Sequence, residues 1–152
     1  LKINPSLKIH MIGKLQSNKA KKAVGIFSYI HSLDNIKLAD VCKKSEEELN
    51  KKLSYFIQVN IGEESQKSGI STKEVKSFLK YCSYEKKLNI IGLMSIPPND
   101  DYTEKYFKEL SILNSELGLK ELSMGMSADY KIALKYKTSY LRIGSAILGK
   151  RT

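Results

Sequence analysis

Arginine is almost missing from this chain: it stands only at Arg142 and Arg151, leaving 24 of the 26 basic residues as lysine against 16 acidic ones. The net charge of +10 would suit a nucleic-acid partner. Base readout and phosphate clamping, however, favour arginine's planar fork, whereas lysine supplies nonspecific phosphate attraction. The lysines are scattered and often sit beside Glu or Asn, as in the run from Lys43 to Glu48. There is no zinc-ligand spacing, no RNA-recognition aromatic signature and no long basic stripe. The charge reads as solvated helix faces, and no nucleic-acid partner is expected.

Cysteine is scarce too. Cys42 and Cys82 lie in helix-like stretches without a ligand cluster, and read as reduced thiols of a cytoplasmic protein with no metal site. No apolar run approaches the ~20 residues that a membrane span needs, residues 89–96 being among the longest. Nothing at the start resembles a signal peptide. With 152 residues, 41% hydrophobic and 28% charged, the chain is too apolar for a disordered one. It is long enough to bury the core of one domain over residues 1–152. No linker, internal repeat or low-complexity tract divides it.

The apolar pattern alternates between two periods. Extended, β-branched runs occupy residues 8–13, 27–33, 54–61, 88–96, 121–125 and 138–143. Helical spacing is seen between them. Val75, Phe78, Leu79 and Cys82 share one face of residues 72–85; Phe107, Leu110, Leu113 and Leu117 share one face of residues 102–117; residues 35–53 form a longer candidate. Ser71 with Glu74 fits a capping box, Asp34, Asp100 and Ser127 are expected N-caps, and Gly118 is the expected C-terminal stop of its helix. Pro97-Pro98 ends the run through Ile96.

Strand and helix thus alternate through six strand-like runs. That order specifies an α/β fold with a covered parallel sheet, either an open doubly wound sheet or a barrel. The length argues against a complete (β/α)₈ barrel, which takes ~250 residues and rarely fewer than ~200.

In such folds, functional groups converge on the loops that leave the strands' C-terminal ends. Two consecutive loops, Ser123-Met124-Gly125-Met126-Ser127 and Arg142-Ile143-Gly144-Ser145-Ala146, place small residues and a hydroxyl where a strand hands over to a helix or turn. Glycine lets N–H groups approach an anion, a helix N-terminus adds unpaired donors and partial positive charge, and Arg142 adds a permanent cation. Two readings of these loops stand together. Either Ser127 caps its helix and Gly144 turns the chain, or the pair forms an anion site.

The same loops carry a resemblance. The runs from Ile9 to Lys19 (with His10-x-Ile12-Gly13-x-Leu15-Gln16-x-Asn18-Lys19), Gln58 to Gly69, Gly92 to Pro97, Leu122 to Asp129 and Leu141 to Gly149 resemble, in order, the YggS/PROSC family. Its members are pyridoxal 5′-phosphate (PLP) homeostasis proteins with a barrel like the N-terminal domain of alanine racemase. The resemblance implies an α/β (β/α)₈ barrel-type fold and a cytoplasmic PLP carrier rather than an enzyme, with apo PLP-dependent enzymes as recipients. Carried over by position, it implies that Ser127, Gly144 and Ser145 hold the cofactor phosphate and that Met126 lines the ring pocket. It places Arg142 near the pyridine nitrogen or the phosphate. A cation facing that nitrogen weakens the ring as an electron sink and discourages racemase chemistry. His10 and Asn60 stand at or near strand ends, either at the pocket mouth or, for His10, as a satisfied core residue. Lys67 matches a family lysine and reads either as a contact for a phosphate or second aldehyde, or as a solvated loop lysine.

The chain also departs from the pattern. Ile9 stands where the family has Trp, Ser145 where it has Thr, Leu148 where it has Phe, and the usual glycine is missing from Tyr136-Lys137-Thr138-Ser139. The match begins at the family's third barrel strand. The Schiff-base lysine of the first strand and the following Gly-Glu-Asn segment have no counterpart, so no catalytic residue is assigned. The expectation is an incomplete barrel lacking its first two βα units, opening on Leu1. Its open edges would be covered by a preceding segment or a partner chain. The rival readings are a racemase-like PLP enzyme and, behind it, a basic nucleic-acid-binding module.

Overall fold

The β-branched runs become strands. The computed structural model describes residues 6–149, so Leu1 and Arg151 fall outside it. In chain order the strands are β1 (His10–Met11), β2 (Tyr29–Leu33), β3 (Ser54–Gln58), β4 (Asn89–Met94), β5 (Glu121–Met126) and β6 (Tyr140–Arg142). Every pairing is parallel, and the order across the sheet is the order along the chain. A doubly wound sheet reverses its order at a switch point. This one never does, which selects the barrel-type architecture, with six strands among the described residues.

β1 and β6 each have one neighbour in the sheet and are the shortest strands, two and three residues long. They fall well inside the expected 8–13 and 138–143. A strand paired on one side has ladder bonds on that side alone to hold it extended. Across the open side, the Tyr140 ring of β6 lies 5.6 Å from the His10 ring of β1, so the sheet curls until its two edges approach.

The helices are α1 (Ala20–Ile26), α2 (Ile36–Leu49), α3 (Val75–Lys80), α4 (Thr103–Glu116), α5 (Tyr130–Lys135) and the terminal turn α6 (Ser145–Leu148). α2 and α4 fill most of their expected ranges. α3 is shorter than 72–85 because the chain widens into a π-turn at Tyr81–Glu85. There the Tyr81 hydroxyl donates to Asp40 Oδ1 on α2 at 2.6 Å while Cys82 stays buried. α1 and α5, at seven and six residues, are too short to show a periodic stripe in sequence.

The expected caps need correction. α2 is capped by Asn35, whose Oδ1 accepts from Leu38 N at 2.9 Å. Asp34 instead accepts from Gly69 N at 3.1 Å and ties two loops together. The Ser71–Glu74 box does not form. Glu74 N donates to the Ser71 carbonyl, and α3 begins one residue after Glu74 without a side-chain cap. Asp100 Oδ1 accepts from Tyr102 N, ahead of the cap position. Gly118 behaves as expected: its φ is +69°, and bonds from Gly118 N to Ser115 O and from Leu119 N to Asn114 O close α4.

The core has two layers. On the outer face of the sheet, Ile30, Tyr55, Ile57, Leu93, Leu122 and Met124 meet Val24, Leu38, Cys42, Val75, Phe107 and Leu110 from the helices. The inner face is separate. His31, Phe56 and Met94 are buried there but stand apart from that cluster. Inward polar groups in this layer build the site.

Candidate functional site

In a parallel barrel all strand C-termini open on one end. β5 and β6 bring their two glycine- and serine-rich loops together there, with Met126 paired to Arg142. Gly125 has a φ of +96°, and a Cβ on it would lie 2.7 Å from Ala133 Cβ and 2.8 Å from Leu141 Cδ2. Only glycine lets β5 turn this tightly against α5 and β6.

Ser127 does not cap the helix that follows it. Its Oγ accepts from Gly144 N at 3.2 Å and from Ala146 N at 3.1 Å, while Asp129 Oδ1 takes Met126 N at 2.6 Å. The two loops are therefore joined at one oxygen on which two backbone N–H groups converge. That arrangement is what a phosphate oxygen uses at a glycine turn. A Cβ on Gly144 would meet nothing within 4 Å, so open space lies over the turn. Ser145 is exposed at the first position of α6, and Met126 is partly exposed at the end of β5.

Arg142 sits below this turn. Nη1 donates to Ser123 Oγ at 2.9 Å and Nη2 to the Ser95 carbonyl at 2.7 Å. Nε is buried with no partner among the described residues. Burial pulls the guanidinium pKa down to about 10, opposed by the nearby Asp129, so the group keeps its charge at neutral pH. A buried N–H without a partner is uncommon and costs free energy until an acceptor reaches it.

From Ser123 a polar chain crosses the barrel. Ser123 Oγ is 2.8 Å from His31 Nδ1, and His31 Nε2 is 2.9 Å from His10 Nδ1. Ser123 accepts from Arg142, and the assignment that gives its hydroxyl proton an acceptor has it donating to His31 Nδ1, with His31 carrying its proton on Nε2 and donating to His10. Burial lowers the His31 pKa to about 4, with the charges of His10 and Arg142 adding to it. Burial and Lys8 lower that of His10. Rings pin the chain in place: His10 stacks on Tyr29 (4.1 Å between centroids, 2° between planes), and His31 on Phe56 (4.3 Å, 21°). Tyr140 stands edge-on to His31 and Phe56.

The structure thus gathers Met126, Ser127, Arg142, Gly144 and Ser145 and links His10 to them through two residues. Asn60 and Lys67 stand on the loop after β3, apart from that turn. The Asn60 amide donates to Glu64 O and accepts from Glu64 N, bracing its own loop. Lys67 pairs with Glu64 at 2.5 Å. Both line a cleft of about 1090 Å³ between the loops after β2 and β3. Lys67 also borders a hollow of about 240 Å³ with Gly13, Lys14 and Gln58 at the barrel mouth. Size alone would favour the larger cleft. It is walled by Glu63, Glu64, Glu74 and Glu85 as well as by lysines, a mixed lining that answers no single charge. His31, Ser123 and Asp129 were not legible as site residues. The available signal was polar residues at alternate positions of otherwise apolar strands, as Tyr29 and His31 flank Ile30.

Among the described residues, no three of His, Cys, Asp and Glu converge as metal ligands, and no helix is long and apolar enough to cross a membrane.

The family model for the alanine racemase N-terminal domain matches residues 2–152. The pyridoxal phosphate homeostasis protein of Aquifex aeolicus is 36% identical over 154 residues, covering 95% of this chain and 68% of the relative. That of Synechocystis is 40% identical over 151 residues, covering 93% and 69%. The structure of PipY from Synechococcus elongatus without PLP superposes with a TM-score of 0.91 at 33% identity, over 98% of this chain and 74% of PipY. The structure of PipY with PLP bound gives 0.86 at 33% identity, over 95% and 72%.

Proposed function

The chain belongs to the alanine racemase N-terminal domain family, among its pyridoxal phosphate homeostasis proteins, and from that premise we propose that it binds PLP and holds the cofactor for delivery. The observation that carries the reading is the joined turn: two N–H groups aimed at one oxygen, open space above Gly144, and a buried arginine beneath with an unsatisfied Nε. These residues fit an anion on the turn and an aromatic nitrogen below it.

Gly144 N–H and Ala146 N–H would exchange the Ser127 oxygen for a phosphate oxygen, and the Ser127 and Ser145 hydroxyls would add donors. Met126 would line the ring. Arg142, inside the strand layer and below the turn, would offer Nε–H to the ring nitrogen. PLP, when bound, supplies a reactive aldehyde on an electron-withdrawing ring. A fixed cation at the nitrogen keeps a proton off it, so Arg142 discourages amino-acid turnover and suits a carrier that passes the cofactor to apo-enzymes. No lysine stands among these five residues, and Lys67 is paired on another loop. Binding by this chain is therefore noncovalent and weak. The domain over residues 1–152 acts as one PLP-binding unit within the cytoplasm, without nucleic acid as partner.

Isothermal titration of the chain with PLP, pyridoxal and inorganic phosphate tests the reading. PLP should bind saturably and more tightly than either part alone. Arg142→Met should weaken it about tenfold, the worth of a lost charge-assisted hydrogen bond. Borohydride treatment of the complex should add no stoichiometric cofactor mass. Equal affinity for PLP and pyridoxal, or a lysine labelled in full, would contradict it.

A further inference from the structure

We propose that His31 is a positioning residue: acting through Ser123, it fixes the Arg142 guanidinium that faces the cofactor ring. This rests on the PLP reading and adds to it a residue that touches no ligand.

The guanidinium is held at two points of unequal rigidity. The Ser95 carbonyl is backbone and cannot turn. The Ser123 hydroxyl can, because a serine O–H rotates to whichever partner suits it. Its lone pair faces Arg142 Nη1 only while its proton points elsewhere, and the group placed to take that proton is His31 Nδ1, 2.8 Å away. His31 holds the orientation because it cannot turn either. It is 1% exposed, lies against Phe56 on one face, has Tyr140 at its edge, and engages His10 with its second nitrogen. Flipping the ring would set carbon against Ser123 and leave its hydroxyl without an acceptor. With Nη1 and Nη2 each anchored, Nε is the guanidinium nitrogen left without a partner among the described residues, so the chain from His31 decides which edge of the arginine is offered to a ligand.

A histidine that merely fills the barrel would give different results, since phenylalanine fills the same space. Three variants of the full chain separate the two: His31→Phe, Ser123→Ala and the double variant. Each is titrated with PLP and with inorganic phosphate after its amide spectrum has shown it folded. Both single variants should weaken PLP about tenfold, the scale of a lost hydrogen bond to a charged group, with phosphate affinity changed less than about twofold. The double variant should be no weaker than either single one, because the two residues act in series. A measurement on unaltered protein needs no variant: in histidine labelled with nitrogen-15, His31 should show a bare Nδ1 and a protonated Nε2.

Unaltered protein that binds PLP, with His31→Phe unchanged, additive losses in the double variant, or a protonated Nδ1, overturns the role of His31 and leaves the PLP reading standing. Unaltered protein that ignores PLP overturns both.

Discussion

Gly92→Ala should be the most destabilising single glycine substitution in the sheet. A Cβ at this position of β4 would lie 1.9 Å from the Glu121 carbonyl oxygen, 2.6 Å from its carbon and 2.9 Å from Phe56 Cε1. Two of these atoms are backbone of the neighbouring strand, to which Gly92 is paired. A flexible side chain could move aside, but here β4 and β5 must part and surrender the ladder between them. The expected loss is about 4 kcal/mol or more, out of roughly 5–15 for a domain of this kind. Urea denaturation followed by circular dichroism measures it. Gly144→Ala is the matched control. Its φ is −125° and its Cβ has open space, so stability should shift by less than about 0.5 kcal/mol while PLP affinity falls, since the methyl enters the space above the turn. A Gly92→Ala protein with an unshifted midpoint would mean that β4 and β5 do not pair in this register.

Acid should weaken the fold through His31. Its pKa is about 4 in the fold against an ordinary 6.5. Below pH 6.5 the unfolded chain takes up a proton that the folded chain refuses until about pH 4. The stabilisation is complete above pH 6.5 and drains away through that window, at most about 3 kcal/mol in total and about 2.5 by pH 4.5. Burial dominates, and the positive charges of His10 and Arg142 push the same way. His10 itself is lowered and adds in the same direction. Carboxylates contribute to acid loss as well, so the comparison is between proteins. Unfolding free energies at pH 7.5 and 4.5 should fall by about 2.5 kcal/mol more in the unaltered chain than in His31→Phe. Equal losses would mean that His31 is not held neutral in the fold.

Much of the fold could be read from residue order. β-branched runs gave the six described strands near their places, because a buried parallel strand is largely apolar along its length. The edge strands came out long in the reading because sequence does not show which strands lack a neighbour. The α2 cap went astray by one residue for a simple reason: Asp34 and Asn35 are both capable acceptors, and only backbone geometry selects Asn35. Ser127 stood out in the sequence as a candidate, but its bond to the loop after β6 did not. The partner of His31 lies 92 residues away, and no local pattern joins them. Register does, by turning Ser123 and His31 to the same inner face. Lys67 and Asn60 looked alike as loop residues beside a strand end. Glu64 engages both, a pairing that residue order does not show.

The central claim is that the turn joining Ser127 to Gly144 receives the cofactor phosphate. Its most direct test is a map of backbone amide shifts as PLP is added to the nitrogen-15-labelled chain. The account predicts saturable shifts centred on Met126, Ser127, Gly144, Ser145 and Ala146, with the Arg142 Nε–H resonance moving alongside them. Shifts centred instead on Asn35, Lys67 and Lys73, in the larger cleft, would contradict it.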